Sequence, residues 1–193
     1  MQLIAQNLTG RFVRLEPLAE GHREGLRAAN DPAIWTHLSM RGYGPEFDQY
    51  FDWSLQMHES GAHIVFCVRR LTDNSVVGTT RFAEIVPAHK RVEIGYTWYA
   101  PAAQASAVNP ECKLLLMSHA FEAGANRVEL NTDMLNARSR AAIAKLGAKE
   151  EGVHRAHKVM PDGRLRDSVF FSVIHSEWPE VRAGLEARLK AIG

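Results

Sequence analysis

The stretch RVEIGYTWY, Arg91 to Tyr99, carries a carboxylate, Glu93, two residues from a glycine. Strand alternation puts Arg91, Glu93, Gly95, Thr97 and Tyr99 on one face and Val92, Ile94, Tyr96 and Trp98 on the other. Gly95 opens space beside Glu93, where a carboxylate can take a proton or attract a positive charge. Its alternative duty is to partner Arg81 or Arg91 across the sheet. Glu84 is the weaker competitor. Just beyond lies QASAVNPE, Gln104 to Glu111, between a strand-like and a helix-like run. A helix N-terminus offers unpaired N–H groups and a positive dipole end, which suits an anion such as a phosphate. Asn109 fits the cap and Pro110 the first turn, which is also how an ordinary well-capped helix begins.

The loop has no glycine. If Ala105 or Ala107 must adopt a left-handed backbone, the cost is on the order of 1 kcal/mol or more. A right-handed backbone makes alanine tolerable, and this is the expectation, because the N–H groups that would face an anion belong to the main chain. Ser106 can add a hydroxyl donor. Lys113 stands near the helix start, where a cation is disfavoured, and so either faces an anion or is solvated. Cys112 beside it is either a nucleophile of lowered pKa or a small buried hydrophobe, and no histidine within local reach would activate it. His154 and His157 alternate with Arg155 on a late strand and either line a site or face solvent.

These groups need a scaffold. The chain has 193 residues, 46% hydrophobic and 23% charged, with a net charge of +1. That is enough apolar material for one core across residues 1–193, and it implies no broad nucleic-acid-binding or membrane-binding face. Only Cys67 and Cys112 are present, outside any disulfide or zinc spacing, which suits a reducing cytosol, and no metal is expected. No apolar run approaches membrane-spanning length, and the first residues lack a targeting pattern.

Alternation predicts a first strand over Arg11 to Leu15, ending at Pro17, followed by helical material. Gly44-Pro45-Glu46 opens a helix carrying Phe47, Tyr50, Phe51 and Leu55, closed by Gly61. His63 to Leu71, Ser75 to Ile85 and Arg91 to Tyr99 read as an antiparallel meander. Pro110 to Ala123 reads as a helix closed by Gly124, Arg127 to Thr132 as a strand, Asn136 to Leu146 as a helix and Lys149 to Val159 as a strand. Met160-Pro161-Asp162-Gly163 turns into Arg164 to Ile174, and Trp178-Pro179 begins a last helix. The order is mixed α+β.

Gln104 with Val108-Asn109, placed after the strand, is accompanied by Gly78-x-x-Arg81, Glu93-Ile94-Gly95-Tyr96, Ala120-Phe121-Glu122, Arg127-Val128-Glu129, Asn136-x-x-Ser139, Lys145-Leu146-Gly147-Ala148 and Asp162-Gly163. In this order and spacing the chain resembles the GCN5-related N-acetyltransferases. It is most similar to the branch containing the ribosomal-protein N-terminal acetyltransferases, whose loop Arg/Gln-Gly-x-Gly-x-Asn precedes a helix opening Glu-x-Lys, as in Glu111-Cys112-Lys113. The resemblance runs from about Leu8 to Val181.

It implies a single domain with a central, mostly antiparallel twisted sheet flanked by helices, whose splayed middle strands hold acetyl-CoA. It implies direct attack of an amine on the thioester, with Glu93 as base or substrate-binding group. The loop from Gln104 through Ala105, Ser106, Ala107, Val108 and Asn109, with Lys113, would hold the pyrophosphate. Backbone N–H groups near Trp98 and Tyr99 would meet the thioester carbonyl. Asn136 and Ser139 either cap a helix or contact the pantetheine arm and thiol. The family's usual tyrosine acid is absent near Ile143, which leaves Ser139 or solvent to meet the thiolate. Arg138 and Arg140 would meet the 3′-phosphate. The partners implied are acetyl-CoA and an amine acceptor, which could be a protein N-terminus, a free amino acid, a polyamine or an aminoglycoside-like compound; homodimers are common among similar proteins. A second class of function is an acyl-CoA-binding module without turnover, motivated by the alanine loop and the missing tyrosine.

Overall fold

The computed structural model describes residues 1–192. Eight strands form one sheet in the order β1-β2-β3-β4-β5-β6-β8-β7. They are β1 (Leu8–Thr9), β2 (Val13–Pro17), β3 (Ile64–Arg70), β4 (Val76–Val86), β5 (Arg91–Tyr99), β6 (Arg127–Asp133), β7 (Lys149–Val159) and β8 (Leu165–Ile174). Every neighbouring pair is antiparallel except β5 and β6. The α-helices are α1 (Arg23–Ala29), α2 (Phe47–Glu59), α3 (Val108–Glu122), α4 (Ala137–Ala144) and α5 (Trp178–Ile192).

Side-chain alternation divides the core across the sheet. On β3, Phe66 and Val68 pack with Leu116 and Met117 of α3 and Leu185 of α5, while Val65 and Cys67 pack with Phe47 and Phe51 of α2. Glu111 ties α3 to the edge of the sheet by accepting the N–H groups of Arg11, Phe12 and Val13 at 2.8, 2.7 and 2.7 Å. Among the described residues, no helix is long and apolar enough to cross a membrane.

Two features shape the middle of the sheet. The β5–β6 ladder contains only Arg91–Arg127, Val92–Val128 and Glu93–Glu129, after which the strands part. The edge of β5 beyond Glu93 therefore has no neighbouring strand on the β6 side. The second feature is a bulge. Gly95 faces Arg81 but Trp98 faces Thr79, so β5 carries one residue too many, and Tyr96 takes a left-handed backbone with φ 49°. The extra residue reverses the alternation downstream and corrects the face expected from sequence. Glu93 and Gly95 remain on the α2 side, whereas Thr97 and Tyr99 turn toward α3 and Trp98 turns toward α2, where its Nε1 donates to the Tyr50 hydroxyl at 2.9 Å.

Candidate active site

A cavity of about 590 Å³ occupies the splay between β5 and β6. Its walls are β5 from Glu93 to Tyr99, β6 from Leu130 to Thr132, the loop before α3, and α4. Of the residues expected from sequence, Glu93, Trp98, Tyr99, Gln104, Ala105, Ser106, Asn109, Lys113, Asn136 and Ser139 line it. Ala107 and Val108 do not; they are buried in the core beneath the loop, 6% and 3% exposed.

At the loop, α3 begins at Val108 with Ala107 as cap residue, so Asn109 lies inside the first turn and is not the cap expected. Ala107 is right-handed at φ −66°, as anticipated, but Ala105 is left-handed at φ 55°, which is a correction. Ser106 is also corrected. Its hydroxyl donates to the Ala103 carbonyl at 2.7 Å and accepts the Val108 N–H at 3.2 Å, which removes its proton from any anion. The main-chain N–H groups of Ala105, Ser106, Ala107 and Asn109 have no protein partner among the described residues. Such a cluster at the positive end of a 15-residue helix is suited to an anion. Gln104 braces the loop, donating to the Tyr99 carbonyl at 3.0 Å and accepting from Arg138.

Lys113 is buried, 5% exposed, and not solvated. Its ammonium reaches Thr97 Oγ1 at 3.0 Å, and Lys113 lines the cavity with no carboxylate in ion-pair range among the described residues. Burial lowers its pKa to about 8. A cation kept in so dry a place without a counter-charge is costly unless a ligand supplies one. Cys112, by contrast, is fully enclosed and burial pushes its thiol up to about 12, which leaves it a small core residue without nucleophilic character.

On α4, Asn136 caps the helix by accepting the Ser139 N–H at 3.0 Å, while Ser139 lines the cavity and its hydroxyl makes no protein hydrogen bond among the described residues. Arg140 is a correction. It points to Glu150 on β7 at 3.7 Å and does not line the cavity; Arg138 does. Two residues are about 200° apart around a helix, so only one of the two arginines can face the cleft.

Glu93 is 9% exposed and has neither of the cross-strand partners considered for it. Arg91 pairs with Glu129 at 3.1 Å, and Arg81, wholly buried, donates to Tyr50 Oη at 3.2 Å and Ser54 Oγ at 2.9 Å. A Cβ on Gly95 would collide with the Glu93 carboxylate, so the glycine is needed for that carboxylate's position. Burial raises the Glu93 pKa above the ordinary range, with Lys158 acting in opposition.

A second cavity, about 680 Å³, opens over β5, β6, β7 and β8 on the sheet face that carries α2. It is lined by Glu84, Glu129, Glu151, His154, His157 and Phe170 among others. The two histidines line this cavity and are also exposed strand residues. His154 packs on Phe170 at 4.0 Å between centroids, and His157 Nδ1 meets Ser168 Oγ at 3.0 Å. Glu93, Tyr96 and Lys158 line both cavities and separate them. Sequence reasoning missed Tyr96, Lys158 and Arg166 at this meeting point. Tyr96 had been assigned to the opposite face, and the other two approach from a distant hairpin with no local motif.

Glu16, His22 and Cys67 bring ligand-type atoms within 4.8 Å of one another. A metal fits poorly there. Although burial alone would raise it, Arg69 and Arg14 hold the Glu16 carboxyl at about 2, and those two guanidinium groups would repel a cation.

A family model for the acetyltransferase (GNAT) domain matches residues 13–149. The Bacillus subtilis (strain 168) protein YdaF, assigned as a ribosomal N-acetyltransferase, is 29% identical over 109 residues, which is 56% of this chain and 58% of that protein. The match therefore spans little more than half the length of that curated relative. Among solved structures, one from T. thermophilus described as an acetyltransferase is 35% identical, with TM-score 0.88 over 98% of this chain and 100% of that one. A GCN5-related N-acetyltransferase from Brucella melitensis is 30% identical, with TM-score 0.89 over 96% of this chain and 86% of that one.

Proposed function

The chain belongs to the acetyltransferase (GNAT) family, and on that premise we propose that it transfers the acetyl group of acetyl-CoA to a primary amine by direct attack. One observation carries this: the cavity in the β5–β6 splay has unpartnered N–H groups at its loop end and an unpaired, buried carboxylate, Glu93, toward the other. Acetyl-CoA supplies a thioester carbon for the amine and a thiolate to depart. The loop N–H groups from Ala105 to Asn109 and the Lys113 ammonium fit its phosphates and polar arm. The unpaired edge of β5 offers backbone donors for the developing oxyanion. Glu93 takes the proton from the acceptor ammonium, directly or through water, and the burial that raises its pKa makes it a stronger base than a solvated carboxylate. Ser139, with a free hydroxyl, is the group we assign to the thiolate. Residues 1–193 act as one unit, and the two free, buried thiols suit work in a reducing cytosol.

The strained Ala105 and the committed Ser106 favour one other reading, an acyl-CoA-binding module without turnover. Calorimetry with acetyl-CoA on the native protein and on Asn109→Trp, at a half-buried position that lines the cavity, tests the cofactor: binding by the first and a marked loss in the second are expected. No heat from the native protein would remove the assignment. Glu93→Gln is expected to acetylate more slowly at unchanged acetyl-CoA affinity. Binding without consumption of any amine would leave the module.

A further inference from the structure

The charges where the two cavities meet do not cancel in pairs. Lys158 and Arg166 are direct partners across the β7–β8 ladder, and both line the first cavity beside Glu93. Among the described residues, none of these three has an oppositely charged group within ion-pair distance. The Lys158 ammonium makes only a cation–π contact, 5.5 Å from the centre of the Tyr96 ring. Arg166 is 5% exposed; it donates to Asn131 Oδ1 at 3.0 Å and to the His37 carbonyl at 3.5 Å, and its Nε has no partner.

The other nearby carboxylates are committed elsewhere. Asp133 pairs with Arg164, Glu129 with Arg91 and Arg127, and Glu151 with Arg127. Glu84 faces only the second cavity and is exposed. Burial disfavours the charged form of all three central groups, and Glu93 and Lys158 each offset part of that cost for the other. A buried cation, Arg166, a half-buried one, Lys158, and a buried carboxylate, held beside one another yet not joined, form an incomplete set that a ligand with the complementary charges would complete.

We propose that the acceptor is an amino-acid-like zwitterion, its amine received at Glu93 and its carboxylate, a few bonds away, by Arg166 and Lys158. This rests on the acetyl transfer proposed above and narrows its acceptor. A polyamine is disfavoured, because its second ammonium would meet two cations. An ordinary peptide N-terminus presents only a neutral carbonyl at that distance.

The test is CoA release from acetyl-CoA by the full-length protein, supplied in separate reactions with a mixture of free amino acids, the matching carboxamides, a polyamine or a peptide. A further reaction replaces acetyl-CoA by succinyl-CoA with the carboxamides. The amino acids are expected to exceed the carboxamides in kcat/KM by roughly 100-fold, the scale of a lost buried charge partner. Arg166→Leu and Lys158→Met should each erase most of that preference while the Kd for acetyl-CoA stays unchanged. A purely structural role would lower both acceptors alike. Lys158 is only half-buried, so its variant keeps the test open if Arg166→Leu fails to fold.

Equal or better use of carboxamides, polyamine or peptide by the native protein would overturn the proposal while leaving acetyl transfer standing. Preference for succinyl-CoA with carboxamides would also overturn it, by moving the carboxylate to the acyl group. No turnover with any acceptor would remove the transfer reaction and this inference together.

Discussion

Replacing Ala105 by glycine should stabilise the protein, although glycine normally loosens a chain. Ala105 is exposed and left-handed at φ 55°, so its methyl group buries little and strains the backbone. Left-handed geometry costs a residue with a Cβ about 1–2 kcal/mol, and the extra freedom of glycine in the unfolded chain returns about 0.4–1 kcal/mol of that. The net gain is about 0.5–1 kcal/mol, a rise in Tm of about 1–4 °C for a domain of this size. Ala107 is the internal control, since it is right-handed at φ −66° and only 6% exposed. There glycine removes a buried methyl worth about 0.8 kcal/mol and adds about 0.5–1 kcal/mol of unfolded-state freedom, so stability should fall by about 1.5 kcal/mol. Urea melts of the two variants should differ by about 2 kcal/mol, with opposite signs relative to the native protein. Calorimetry should find acetyl-CoA affinity of Ala105→Gly within about 3-fold of native, because the N–H groups that face the ligand remain in place. If both glycine variants lose the same stability, the left-handed backbone at Ala105 is wrong and so is the account of the loop.

Gly95→Ala should displace the Glu93 carboxylate and lower kcat/KM by about 100-fold with acetyl-CoA binding retained; unchanged steady-state kinetics would free Glu93 from its assigned role. Lys113 has its folded pKa lowered from 10.5 to about 8, so burying its charge costs stability below pH 8 and that cost fades as pH rises toward 10.5. Lys113→Met should therefore gain on the native protein by on the order of 3 kcal/mol below pH 8, with the difference closing between pH 8 and 10.5 in denaturant melts. Glu111→Ala leaves three N–H groups of the β1–β2 edge without their acceptor and should cost about 3 kcal/mol, while Glu111→Gln should cost less. Melting of Glu111→Ala at the native denaturant midpoint would show that the carboxylate pairing contributes little.

Local pattern was enough to read most of the scaffold. β5 runs from Arg91 to Tyr99 and β7 from Lys149 to Val159, as alternation and composition predicted, and the remaining main elements differ by a few residues at their ends. These features are local because side-chain periodicity and turn chemistry act over a few residues. The short strand Leu8–Thr9 escaped notice because two residues carry no period. The splay was expected only through family likeness, and it appears as a ladder that stops at Glu93 and Glu129.

Other decisions belonged to the tertiary structure. The bulge at Tyr96 depends on how β5 registers against β4, and one extra residue is enough to send Thr97 and Tyr99 to the opposite face from Glu93. The left-handed turn at Ala105 is set by how the chain leaves β5 and enters α3, since alanine has no preference for that geometry. Arg138 faces the cleft and Arg140 does not because α4 has a particular rotation about its axis, which two neighbouring arginines cannot reveal. Glu93 was legible as a candidate from the glycine beside it. Its lack of a partner, and the arrival of Lys158 and Arg166 from a hairpin far along the chain, were not, because the balance of buried charge at a point in space depends on every strand that reaches it.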